Sequence, residues 1–268
     1  MIIKGGSVVF KDGVEKKDIR VADGKIVRIA EGLTAEKNEE VIDAKGLHVF
    51  PGLIDMHVHL REPGFEYKED IESGCKAAVK GGFTQICCMP NTAPIADNKV
   101  VISYIRHRAE EVNLCKVRPV GAITKGEEGE QLADIGEMKK AGAVAISDDG
   151  KAVKSSRLMR LAMEYAGGFN MKCLCHCEDK ELSDGGVVNE GYNSTLAGLK
   201  GIPRAAEDVS ISREICLAES LGVPVHICHV STKGGVQLLR EAKVRGVQVT
   251  AETCPHYFTL TDDVVMSY

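Results

Sequence analysis

Apolar residues fall into two regimes along the chain. Up to about residue 50 they come in short runs that read as strands. Ile2, Ile3, Val8, Val9 and Phe10 make one, 19–21 and 25–29 make two more, and 41–49 adds another. Ala22-Asp23-Gly24 between two of the runs is a hairpin signal. No helical period appears, so residues 1–50 are predicted to form a small β unit.

From Pro51 the pattern changes. Apolar runs at 53–59, 84–89, 117–123, 143–147, 173–177, 223–230 and 247–253 read as buried strands, and most are separated by helical periods at 67–80, 99–113, 131–141, 155–166, 205–221 and 232–245. Several helical segments end in glycine, as in Lys80-Gly81-Gly82, Ala141-Gly142 and Arg245-Gly246, which is helix-terminating chemistry. Strands alternating with helices predict a parallel sheet with right-handed crossovers. A doubly wound open sheet and a closed barrel share this pattern. The barrel is preferred because polar and metal-binding residue types stand at the C-terminal ends of nearly all the strands, and closure aims those ends at one site. The predicted class is thus α/β, a TIM-type (β/α)8 barrel over residues 51–268 with seven of its eight strands, preceded by the β unit of residues 1–50.

Composition changes this picture little. A hydrophobic content of 44% over 268 residues supports a substantial core. A net charge of −5, from 34 basic and 39 acidic residues, offers no basic surface for nucleic acid. No apolar stretch approaches the roughly 20 residues that span a bilayer. Met1-Ile2-Ile3-Lys4-Gly5-Gly6 lacks the long apolar region of a signal peptide, so a cytoplasmic location is expected. Ten cysteines could suggest disulfides. Yet Cys87 and Cys88 are adjacent, and Cys173, Cys175 and Cys177 alternate along one strand, so buried reduced thiols are predicted. Cys175-His176-Cys177 lacks the C-x-x-C spacing of a zinc cluster.

The chemistry concentrates at strand ends. In Asp55-Met56-His57-Val58-His59, strand alternation points Asp55, His57 and His59 to one side. Two ordinary core histidines would not need a carboxylate beside them. Ser147-Asp148-Asp149-Gly150 ends the fourth barrel strand, His176 lies on the fifth, and His226 and His229 on the sixth. Four histidines and a carboxylate suit zinc and exceed one tetrahedral ion, so two ions bridged by Asp149 are expected, activating a water between them. By strand parity His226 faces away from His229 and is expected to pack behind the site. Asp55 and Glu62 are expected to orient neighbouring histidines.

With these residues in view, His57-Val58-His59-Leu60-Arg61-Glu62-Pro63-Gly64 resembles the signature of bacterial dihydroorotases in the amidohydrolase superfamily. Met89-Pro90-Asn91-Thr92, Ser147-Asp148-Asp149-Gly150, His226-Ile227-Cys228-His229-Val230-Ser231 and Cys254-Pro255-His256-Tyr257 resemble the same family, and the similarity runs the length of the chain. The resemblance implies a β-sandwich built from both chain ends, flanking a barrel with two zinc ions. His57 and His59 would hold the first ion, Asp149 would bridge, and His176 and His229 would hold the second. Many superfamily members bridge with a carbamylated lysine; the matching place here reads Asp149, with Lys151 close by as the alternative.

Arg61 and Asn91 resemble the binders of the substrate carboxylate, which agrees with the fit of a guanidinium fork to a carboxylate. The implied reaction interconverts dihydroorotate and N-carbamoyl-aspartate in pyrimidine synthesis. A homodimer and association with aspartate transcarbamoylase are the expected assemblies. The alternatives are a hydantoinase- or allantoinase-like enzyme, which Arg61 disfavours, and a non-catalytic scaffold for aspartate transcarbamoylase. The resemblance also places an eighth strand, with the aspartate that serves as general acid/base, beyond Tyr268, so the 268 residues alone are expected to be nearly inactive.

Overall fold

A computed structural model describes residues 1–267 and divides into two compact units, the first Met1–Leu53 and the second from Ile54 onward. In the first, β1 (Ile2–Phe10), β2 (Gly13–Ala22), β3 (Lys25–Ala30), β4 (Val41–Asp43) and β5 (His48–Val49) form one sheet in the order β3-β2-β1-β4, with β5 also on β1. The β1–β2 and β2–β3 pairs are antiparallel, while β4 and β5 run parallel to β1. Asp23 (φ 50°) and Gly24 (φ 70°) make the left-handed turn of the β2–β3 hairpin. A small core of Ile2, Val8, Ile19, Leu33 and Ala44 is tied by the buried Asp18 carboxylate, which accepts from the Gly5 and Leu33 amides at 2.8 Å each.

The second unit alternates strands and helices in the order β6 (Leu53–Val58), α1 (Ile71–Lys80), β7 (Phe83–Cys88), α2 (Lys99–Val112), β8 (Lys116–Ala122), α3 (Ile135–Ala141), β9 (Ala145–Ser147), α4 (Ser156–Gly168) and β10 (Lys172–Cys175). An excursion follows, comprising α5 (Lys180–Ser183), β11 (Val188–Asn189), α6 (Tyr192–Ala197) and β12 (Gly201–Ile202). Then come α7 (Ala205–Leu221), β13 (Val225–Ile227), α8 (Lys233–Val244), β14 (Val249–Ala251) and α9 (Pro255–Thr259). The main sheet has the order β14-β13-β10-β9-β8-β7-β6, parallel from β7 to β14, and β11 and β12 pair separately. Spatial order follows chain order throughout. A doubly wound sheet would reverse at a switch point, so this is the arrangement of a curling TIM-like sheet.

The two sheet faces differ. Ile86, Val117, Ile146, Val225 and Ile227 pack under helix residues such as Ile71, Ile102, Met138, Met159 and Ile211. The opposite face carries a separate, helix-free cluster of Met89, Val120, Ala145, Leu174 and Cys228.

Helix starts follow capping. Asp70 accepts from the Ser73 amide, so α1 begins at Ile71 and the predicted first turn from residue 67 stays irregular. The segment expected to open α3 at residue 131 is drawn back to the β8 loop instead. There the Ala133 amide donates to the Ile123 carbonyl and the Lys125 amide to Gln131, both at 2.9 Å. Among the described residues, no helix is long and apolar enough to cross a membrane.

Candidate metal centre

The C-terminal strand ends converge. Asp55 and His57 lie on β6 and His59 just beyond it, while Asp149 follows β9, His176 follows β10 and His229 follows β13. Asp149 is buried at their centre. Its Oδ1 lies 3.3 Å from His57 Nε2, 3.6 Å from His229 Nε2 and 3.7 Å from His176 Nδ1, and its Oδ2 lies 3.5 Å from His59 Nε2. His176 Nδ1 and His229 Nε2 approach to 3.0 Å. The potential donor atoms form two groups sharing Asp149, one with His57 and His59 and one with His176 and His229, and within each all lie within 4.8 Å of one another.

These separations suit a metal better than a hydrogen-bond network. Zinc bonds of about 2.0–2.1 Å in tetrahedral geometry put ligand atoms about 3.4 Å apart. Asp149 Oδ1 is buried without a hydrogen-bond partner, although four imidazoles surround the carboxylate. An unpaired buried carboxylate oxygen is costly unless a cation completes it. The adjacent Asp148 is a contrast, because it accepts from the Ile123 and Thr124 amides at 2.8 and 3.0 Å and from the Thr124 hydroxyl.

Charge is balanced accordingly. Burial opposes ionisation of Asp149, but its contacts with His176, His229 and His57 hold its carboxyl well below the usual range. Burial likewise opposes a charge on His57, yet Asp149 and Glu252 together raise it to about 9. His59 is lowered, chiefly by burial, with the Arg61 charge contributing.

The other expected residues divide. Asn91 lies inside the cluster, with its Oδ1 3.1 Å from His59 Nδ1 and its amide donating to Asp149 Oδ2 at 3.3 Å. Arg61 is half-buried in a left-handed conformation (φ 60°) directly after Leu60. Its loop interlocks with that of Asn91. The Ala93 amide donates to the Pro63 carbonyl at 2.9 Å, and a Cβ on Gly64 would lie 2.0 Å from the Ala93 carbonyl oxygen. Lys151 Nζ lies 3.5 Å from the Gly126 carbonyl, whereas Asp149 is the residue among the histidines. His256 is exposed and packs edge-on against Tyr257.

Of the three supporting residues, Glu62 departs from expectation. The buried Glu62 orients no histidine. It accepts from the Ile71 amide and the Tyr104 hydroxyl at 2.9 Å each and pairs with Arg108 at 3.3 Å, anchoring the Arg61 loop. Asp55 accepts from the backbone amide of His57 at 3.0 Å. His226 stands opposite Leu174 in register, on the helix-free face, and approaches the site from below. It packs behind the ligands, against Thr250 and Glu252, as expected, although the regular strand ends at Ile227 and His229 turns into a left-handed conformation (φ 36°) that strand parity does not describe. The residue missed altogether is Glu252, whose Oε1 lies 2.7 Å from His57 Nδ1. Its place at the end of β14 obeys the same strand-end rule that singled out the others. A third group of potential donors joins Glu252 to His57 and the buried Cys228, whose thiol is pushed up by burial.

A sequence profile described as dihydro-orotase-like matches residues 46–235. The chain belongs to the dihydroorotase-like family. Over its whole length it is 56% identical to a dihydroorotase of Trichlorobacter lovleyi and 55% identical to one of Acetivibrio thermocellus, covering 64% and 63% of those proteins. It therefore spans a little under two thirds of the length of these relatives. Among solved structures, an L-hydantoinase (dihydropyrimidinase) from Arthrobacter aurescens superposes with a TM-score of 0.83 at 24% identity, over 98% of this chain and 60% of that one. A D-hydantoinase gives 0.82 at 26%, over 100% and 60%.

Proposed function

We propose that this chain carries the metal-binding part of a dihydroorotase, which opens the ring amide of dihydroorotate to N-carbamoyl-aspartate and closes it again. The observation that carries the reading is the partnerless Asp149 Oδ1 among four imidazoles, in a chain 56% identical to a named dihydroorotase. His57, His59 and Asp149 would hold one ion, and Asp149, His176 and His229 a second. The donor set is nitrogen and oxygen, which suits zinc. When bound, such ions polarise a carbonyl and lower the pKa of water.

The chain's own residues do the rest. Arg61 takes the exocyclic carboxylate of the substrate through its guanidinium fork, and its loop is held for this by Glu62, Tyr104 and Arg108. Asn91 belongs to the same carboxylate-binding pair, and from its position against His59 and Asp149 it couples substrate placement to the ligand cluster. Residues 1–50 form part of a β-sandwich and residues from 51 onward the barrel. The ten free cysteines fit a reducing compartment, the cytoplasm.

The hydantoinase-like neighbours make ring substrate the decisive variable. Zinc-loaded protein should bind dihydroorotate in preference to hydantoin and dihydrouracil, which lack the carboxylate, as read by calorimetric titration. Arg61→Lys should remove most of that preference, because a point charge loses the bidentate geometry. Equal affinity for the three rings, or an unchanged preference in Arg61→Lys, contradicts the assignment.

A further inference from the structure

We infer that Glu252 is the positioning residue for His57, fixing the tautomer and ring orientation with which His57 meets a metal; this rests on the metal-binding reading above. A carboxylate only accepts, so the 2.7 Å contact between Glu252 Oε1 and His57 Nδ1 requires the proton on Nδ1. Nε2, the nitrogen that faces Asp149 Oδ1 at 3.3 Å, is then the one that exchanges its proton for a metal. Ring nitrogen and carboxylate oxygen need a proton or a cation between them. A carboxylate behind a ligating imidazole also raises its basicity as a donor.

Glu252 is built for this aim. Its amide donates to the Ile227 carbonyl at 3.1 Å and its carbonyl accepts from the Val230 amide at 2.8 Å, so its backbone is pinned to the chain on both sides of His229. Its second oxygen lies 3.3 Å from His226 Nε2, and His226 Nδ1 lies 2.8 Å from Thr250 Oγ1. His226 and Thr250 are register partners on β13 and β14. The side chain is therefore flanked on its far side by a buried histidine that itself rests on the neighbouring strand. The contact also joins β6 to the end of β14, the two strands at opposite ends of the seven-stranded order. Sheet curl and ligand orientation thus meet in one hydrogen bond.

Zinc affinity measured by chelator competition tests this on wild type, Glu252→Ala and the near-isosteric Glu252→Gln, with the His57 tautomer read from long-range 1H–15N correlations of the imidazole. Wild type should load two ions with His57 protonated at Nδ1. Glu252→Ala should bind one ion about 10- to 100-fold more weakly, the scale of outer-shell substitutions. The ion held by His176 and His229 should be unaffected, and added formate should restore part of the loss, which a merely structural role would not do. Glu252→Gln should keep the wild-type melting temperature and still lose affinity for the same ion. Wild type that loads no zinc overturns the metal reading and this inference with it. Wild type that loads zinc, beside a folded Glu252→Ala with equal affinity and an unchanged His57 tautomer, overturns the role of Glu252 alone.

Discussion

The two faces of the seven-stranded sheet follow different rules. Under the helices, Ile102, Ile135, Met138 and Ile146 are wholly buried within one hydrophobic cluster, so their contribution is burial and close packing. At the strand ends, four histidines crowd a carboxylate one of whose oxygens has no partner. Asp148 and Asp149 bring the difference down to adjacent residues. One is satisfied by two backbone amides and a hydroxyl and ties the β8 loop to β9; the other is left incomplete by the protein itself. Stability is built on one side, and potential metal donors are gathered on the other.

The largest effect should come from Asp149, which both ligand groups share. Asp149→Ala should abolish binding of both zinc ions, measured by equilibrium dialysis and metal analysis, while the fold persists. Retention of either ion at full affinity would break the contrast. Next, Ile102→Ala on the helix side should cost about 2–5 kcal/mol in denaturant unfolding and leave zinc stoichiometry unchanged. Asp148→Asn should fall between the two roles, costing roughly 1–3 kcal/mol through its weakened buried hydrogen bonds, again with zinc retained. If Asp148→Asn instead removed metal and spared stability, the roles of the two aspartates would have to be exchanged.

The smallest effect tests the cysteines. Cys216 is exposed, whereas burial pushes the Cys75 and Cys88 thiols up to about 12. A thiol reagent near pH 8 should modify Cys216 rapidly with no change in melting temperature, and reach Cys75 and Cys88 only on unfolding. Mass spectrometry of the labelled peptides checks the order.

Much of this was legible in the sequence. All seven barrel strands and six of the longer helices have apolar periods strong enough to locate, and α7 (Ala205–Leu221) matches its predicted bounds. Helix starts were less legible, because Asp70 capping and the tie between Ala133 and Ile123 are tertiary and local choices that periodicity does not record. The excursion between β10 and α7 escaped for a similar reason: its elements are too short to develop a period. At the site, His57, His59, Asp149, His176 and His229 could be named from strand-end position and family motif together. The supporting residues could not. Glu62 was assigned to a histidine because it is near one in sequence, yet it reaches Tyr104 and Arg108 on α2. Glu252 serves His57 from 195 positions away. Such pairings depend on how far the sheet curls, which no local pattern encodes.

The central claim is that the strand-end cluster, and not the abundant cysteines, binds the metal. X-ray absorption at the zinc edge of the loaded chain tests it most directly. The account predicts a shell of nitrogen and oxygen at about 2.0–2.2 Å with no sulfur. A sulfur shell at about 2.3 Å would place zinc on cysteine and contradict it.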